Sequence, residues 1–321
     1  MRVLIIGGGG FIGRKLAERL ACEGTVNGAP IAKLTLHDIV PAASPRDAAF
    51  PIDVETGDLS VAGEADRLVA GKPELIFHLA AVVSGEAEQN FDKGYRINLD
   101  GTRHLLEAVR EADYVPRLVF TSSIAVFGAP FPDAIPDDYH LTLLTSYGTQ
   151  KAMDELMVND FSRKGFVDGV SIRLPTVCVR PGKPNKAASG FFSGIIREPL
   201  AGEEAVCPVS RDVRHWMASP RSAVGFLLHA AALDAAELGA QRAITMPGLS
   251  ITVGEMIDAL ARVAGEDVAR RIKMQPDPFI EEIVAGWPRN FAPDRAQRLG
   301  FAADVDFDDV IRAHIADELD G

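Results

Sequence analysis

Four aliphatic residues at positions 3–6 lead straight into Gly7-Gly-Gly-Gly10-Phe-Ile-Gly13, and an apolar-periodic stretch follows at 11–22. A strand, a glycine loop and a helix in that order leave few folds open to the chain. Gly7 permits the tight turn, Gly10 lets a pyrophosphate approach the backbone, and Gly13 lets helix and strand pack closely. The helix N-terminus, with Phe11 and Ile12 in its first turn, turns backbone N–H groups and a partial positive charge towards an anion. A glycine run alone would fit any flexible turn. The strand before it and the helix after it make a dinucleotide site the expectation.

The first half keeps this rhythm. Short β-branched runs at 34–37, 52–54, 75–79, 117–121 and 170–174 read as strands, and 88–111 and 145–162 read as helices. Steady alternation predicts an α/β fold: a doubly wound parallel sheet of the Rossmann type, covered on both faces. After Pro175 the pattern changes. A Pro- and Gly-containing loop at 180–189 leads into a short helix at 191–197. Strands are expected at 205–208, 213–217 and 243–246, and helices at 223–233, 253–263 and 307–319. This gives an expected cofactor-binding domain at 1–175 and a smaller α/β substrate region at 176–321. The two are expected to be partly interleaved and to share one cleft.

Composition limits the partners. The 321 residues carry 33 Lys+Arg and 45 Asp+Glu, a formal net charge of −12, which argues against nucleic acid or an anionic membrane as a general partner. With 47% hydrophobic and 24% charged residues the chain reads as globular rather than disordered. Cys22, Cys178 and Cys207 form no CxxC pair, and the seven histidines form no HxxxH or HExxH. Disulfides and a metal site are therefore not expected, and a reducing cytoplasm is the simplest compartment. The run at 3–6 is too short for a signal peptide, and 223–233 is too short to span a membrane.

Asp38 closes the second strand, where a carboxylate can accept both ribose hydroxyls and would repel a 2′-phosphate. That favours NAD over NADP. Tyr147 and Lys151 stand four residues apart at the start of a helix and share a face. A nearby ammonium favours the phenolate, so Tyr147 can take the proton of a substrate hydroxyl. Such pairs are common on helices. Ser123, at the carboxyl end of the fifth strand, gives this one its context, because a hydroxyl there can hold the substrate oxygen.

These pieces identify the chain as resembling the extended short-chain dehydrogenase/reductases, in their epimerase/dehydratase-like branch. The likeness also runs through Asp58-Leu59, His78-Leu-Ala-Ala81, Asn98-Leu-Asp-Gly-Thr102, Thr121-Ser-Ser123, Ser146-Tyr147-Gly-Thr-Gln-Lys151 and Arg295-Ala-Gln-Arg-Leu-Gly-Phe301. The resemblance implies NAD lying across the strand ends, with Asp58 and Leu59 at the adenine and Ala80 and Ala81 beside the cofactor. It also implies a catalytic group of Ser123, Tyr147 and Lys151. Asn98 is expected near the cofactor, with a chiefly structural role left open.

The departures bear on the reaction. Dehydratases of the family carry Asp-Glu after the catalytic hydroxyl residue, where this chain has Ile124-Ala125. The Asn that usually touches a nucleotide-sugar diphosphate is replaced within Leu174-Pro175-Thr176. A small polyhydroxy acid fits better, with its carboxylate held by a guanidinium; Arg173, Arg180 and Arg214 are the candidates. His215 and Trp216 either shape that pocket or simply pack. Within the family the chain is similar to a group that oxidises the C2 hydroxyl of a four-carbon aldonic acid, through 124–132, 173–182 and 286–291. A nucleotide-sugar 4-epimerase with tightly bound NAD and a non-catalytic NAD sensor remain alternatives. A homodimer is expected through the helices bearing Leu105, Leu106, Val109, Met153, Leu156 and Met157.

Overall fold

Strand β1 (Arg2–Ile6) is buried from Val3 onward, as an all-aliphatic strand in the middle of a parallel sheet must be. It pairs in parallel with β2 (Lys33–Asp38) on one side and with β4 (Leu75–His78) on the other. Beyond β2 lies β3 (Ile52–Thr56), and beyond β4 lies β5 (Arg117–Ser123), both in parallel register. β6 (Asp168–Leu174) and the parallel β7 (Ala243–Thr245) complete seven strands in the order β7-β6-β5-β4-β1-β2-β3. The chain reverses its direction of travel between β1 and β4, the switch point at which open α/β sheets bind ligands. The expected doubly wound parallel sheet is therefore present.

The structure is a computed structural model that describes residues 1–182 and 189–319. Six residues of the expected loop at 180–189 lie outside that range. The chain divides into two units. The first takes Met1–Val126, Thr145–Arg173 and Val224–Thr245, and the second takes Phe127–Leu144, Leu174–Ala223 and Met246–Gly321. The strand read at 243–246 differs from expectation in its place. It closes the edge of the large sheet beside β6, with Ile244 opposite Ile172, instead of joining the smaller region.

Helices α1 (Phe11–Glu23), α2 (Gly101–Glu111) and α3 (Ser146–Arg163) serve the first unit. Leu105, Leu106 and Val109 of α2 pack with Leu4, Ile6, Ile76, Leu118 and Phe120 in its core. They face the sheet and supply no outer apolar surface, contrary to what a dimer built on them would need. The single helix read at 88–111 is broken into Ser84–Gln89, Phe91–Gly94, a π-helical turn at Tyr95–Asp100, and α2. Asn90 causes the first break, because its side chain accepts from Lys93 N and starts a new turn. The π turn holds Asn98, and such turns concentrate at functional sites.

The second unit has a three-stranded sheet of Thr176–Val177, Arg214–Ala218 and Leu249–Thr252. Its core gathers Phe192, Ile195, Met217, Met256, Leu260 and Ile311. No helix among the described residues is long and apolar enough to cross a membrane.

Candidate active site

The glycine loop is built by close approach. Gly7 has φ of 95°, and a Cβ there would stand 2.7 Å from Ala80 N, so the turn after β1 and the loop after β4 meet backbone to backbone. A Cβ at Gly13 would stand 2.1 Å from Gly7 O. The amides of Gly7 and Gly8 donate to His37 O at 2.8 and 3.0 Å. Gly10 caps α1 without any side-chain bond, and the first turn, with half-buried Phe11 and Ile12, holds no acid. The first turn thus sets no negative charge against an anion at the helix's positive end.

Asp38 ends β2 and accepts from Gly9 N at 2.9 Å, so the acid expected at the ribose sits against the glycine loop. Asp58 accepts from Ser60 N at 2.9 Å, Ser60 Oγ at 2.6 Å and Arg96 Nη1 at 2.8 Å. Burial pushes its carboxyl up, but the bonds from Arg96 and Ser60 outweigh that and hold it below the usual carboxylate range. Leu59 beside it is buried in the unit's core.

Asn98 fixes the loop after β4. Its Oδ1 accepts from Val82 N at 2.7 Å, and its Nδ2 donates to Val82 O at 3.1 Å and to Gln150 Oε1 at 2.7 Å. One amide thus ties the segment of half-buried Ala80 and Ala81 to α3. Gln150 is fully buried and was not legible as a site residue, because its partner lies 52 positions away.

Helix α3 carries Tyr147 and Lys151. Thr145 caps it by accepting from Gly148 N at 3.0 Å, and Glu88 Oε2 takes Ser146 N at 2.9 Å. A Cβ at Gly148 would lie 2.2 Å from Ala125 O, in the turn that follows Ser123. The start of the Tyr147 helix therefore presses on the Ser123 turn. Ser123 Oγ accepts from Ala125 N at 3.1 Å, a bond that does not use the hydroxyl's own proton. Lys151 Nζ lies 4.5 Å from the Phe120 ring centroid and 5.8 Å from that of Tyr147. Lys151 is 1% exposed, and burial lowers its pKa to about 8, opposed by Asp154 and Glu155. The structure thus brings Ser123, Tyr147 and Lys151 into one neighbourhood.

The arginines fall elsewhere. Arg173, read from sequence as a candidate for the substrate carboxylate, already holds one: Glu155 accepts its Nε at 2.9 Å and its Nη2 at 2.8 Å, both side chains being buried. A charge buried on the sheet must be paired in this way. Ser122 Oγ adds a 2.5 Å bond to Glu155. Arg180 and Arg214 belong to the second unit. Arg180 is half-buried, its N donating to Ser193 Oγ and its O accepting from Arg197 Nη1. Arg214 donates to Ser250 O at 2.7 Å and lies 3.4 Å from Glu255. His215 and Trp216 are core residues of that unit: His215 stacks on Phe192, and Trp216 Nε1 donates to Met246 O.

Comparison with known proteins decides the family. The model of the NAD dependent epimerase/dehydratase family matches residues 3–237. The chain belongs to this family. Two relatives named D-erythronate dehydrogenase match it end to end. The one from Cupriavidus necator is 49% identical over 99% of this chain and 98% of its own length. The one from Haemophilus influenzae is 44% identical over 98% of this chain and 99% of its own length. A crystal structure from Agrobacterium tumefaciens, described as a nucleoside-diphosphate-sugar epimerase, superposes with a TM-score of 0.98 at 56% identity, over 100% of this chain and 95% of that one. NAD is the family's cofactor, and the residues here fit it: an acid-free helix start behind Gly10, and Asp38 against the loop. The chain is accordingly an NAD-dependent oxidoreductase.

Proposed function

We propose that the chain oxidises the C2 hydroxyl of a small aldonic acid, D-erythronate first of all, to the 2-keto acid. The full-length match to two relatives of that name carries this reading. NAD, when bound, supplies the acceptor of the hydride released from C2. The protein's own residues handle the proton and the oxygen. Ser123 donates a hydrogen bond to the C2 oxygen, and Tyr147 takes its proton as general base. Lys151, charged below about pH 8, favours the phenolate form of Tyr147. Arg180 and Arg214 are kept for the substrate's carboxylate; Arg173 is not, because its guanidinium is buried on Glu155, whereas the Arg214–Glu255 pair is exposed. Asp38, Asp58, Ala80, Ala81 and Asn98 are assigned to the cofactor. The working form is a cytoplasmic homodimer, with exposed Leu156 and Met153 of α3 at its interface.

A nucleotide-sugar epimerase is the second reading, favoured by the description of the 56% identical structure. The same Tyr147 and Lys151 would serve it. Incubation with NAD and a panel of four- to six-carbon aldonates, run beside UDP-hexoses, separates the two. Net NADH formation with an aldonate supports the dehydrogenase. Conversion of a UDP-hexose without NADH accumulation overturns it.

A further inference from the structure

Helix α3 buries two carboxyl groups that the proposed chemistry does not use, Asp154 and Glu155, and Glu155 is taken up by Arg173. Asp154 is 0% exposed, and neither carboxylate oxygen has a hydrogen-bond partner among the described residues. Leaving a buried carboxylate without hydrogen bonds is costly, so its presence calls for a role. It follows Lys151 by three positions and Tyr147 by seven, which places all three on one helix face.

The groups around Asp154 are few. Thr102 of α2 faces it, but commits its single proton to Asn98 O at 2.7 Å and lies 3.0 Å from His78 Nε2. His78 of β4 is held neutral by burial, with Lys151 adding to the effect, its pKa pushed down to about 3. Glu155, next along the helix, takes Ser122 of β5 and Arg173 of β6. Lys151 is the positive group in this set that the other carboxylate does not already bind.

We propose that Asp154 is a positioning residue for the reaction: its buried carboxylate keeps the Lys151 amine protonated beside Tyr147. The inference rests on the reading of Tyr147 as general base assisted by Lys151. Burial drives the Lys151 ammonium towards losing its proton, and Asp154 is the largest opposing influence. Burial likewise drives the Asp154 carboxyl well above the usual carboxylate range, and the Lys151 charge opposes this only in part. With an uncharged residue at 154, Lys151 gives up its proton at lower pH, and the Tyr147 phenolate loses its support as pH rises.

The test needs no substrate. In apo-protein carrying 13C-labelled lysine, the Lys151 signal is identified by its loss in Lys151→Arg and followed against pH by NMR. The expected midpoint is about 8 in the parent protein, and at least about one pH unit lower in Asp154→Asn. An unchanged midpoint in a folded Asp154→Asn protein overturns the proposal. Should that variant fail to fold, parent protein with 13C-labelled aspartate carboxyls decides. Asp154 and Lys151 signals moving together over one pH range support the pair, and Asp154 titrating alone in the ordinary carboxylate range overturns it. With a turned-over substrate, the alkaline fall of kcat should shift with the Lys151 midpoint while the low-pH rate is kept. A merely structural Asp154 would scale the whole profile instead. Because the titration involves no substrate, failure of the aldonate reading and failure of this pairing are separate results.

Discussion

Gly148 sits so close to Ala125 that a Cβ on the one would stand 2.2 Å from the carbonyl oxygen of the other. This contact sets the Tyr147 helix against the turn that carries Ser123. A backbone atom cannot swing aside as a side-chain end can. Gly148→Ala should therefore displace Tyr147 from Ser123, lowering kcat by about 10- to 100-fold and stability by about 1–3 kcal/mol. Steady-state kinetics and urea melts check it. A fully active, equally stable variant would mean that the helix and the turn need not meet this closely.

The buried pair of Glu155 and Arg173 makes a second expectation. Removing one partner leaves the other charged and unpaired in the interior. Arg173→Leu should cost about 3–5 kcal/mol, and adding Glu155→Leu should restore part of it. Denaturant melts of the two single variants and the double variant give the coupling. A loss below about 1 kcal/mol in the single variant would place the pair effectively in solvent.

On the proposed reading, the choice of NAD over NADP rests on Asp38. Asp38→Ala removes the repulsion of a 2′-phosphate and the acceptor for Gly9 N. KM for NAD should rise about 10-fold or more, while use of NADP improves. An unchanged ratio of kcat/KM values for the two cofactors would remove Asp38 from the ribose.

Acid stability should carry the mark of two buried histidines. Burial lowers His215 to about 4, and burial with the neighbouring Lys151 charge lowers His78 to about 3, below the ordinary value of 6.5. On unfolding at mild acid both take up protons that the folded state refuses. Their stabilising contribution is complete above pH 6.5 and is lost as pH falls towards 4 and then 3. Stability measured by urea melts should therefore drop over that window. Replacing both with glutamine should flatten the slope by up to two protons; an unchanged slope would show both histidines protonating freely in the fold.

What could be read from sequence was what chemistry forces into fixed local spacing. Gly7, Gly10 and Gly13 must sit at a strand-to-helix turn, and Tyr147 and Lys151 must sit one helical turn apart. The inward face of α3 was not legible. Its apolar Met153 and Leu156 are exposed, while Gln150, Lys151, Asp154 and Glu155 are buried. The partners that make burial of these polar groups tolerable lie far off in sequence, Arg173 18 positions from Glu155 and Asn98 52 from Gln150. A helix whose polar residues outnumber its apolar ones on the face carrying Tyr147 and Lys151 was the available signal. The π turn at Asn98 and the place of β7 also depend on tertiary pairing, which local periodicity does not encode.

The most direct measurement is NADH formation from D-erythronate by the parent protein and by Tyr147→Phe, with NAD affinity determined for both. The account predicts steady NADH production by the parent. It also predicts a loss of about 10²- to 10⁴-fold in the variant, with NAD binding nearly kept. A variant that keeps more than about a tenth of the parent's turnover, or a parent that forms no NADH from any aldonate, would contradict it.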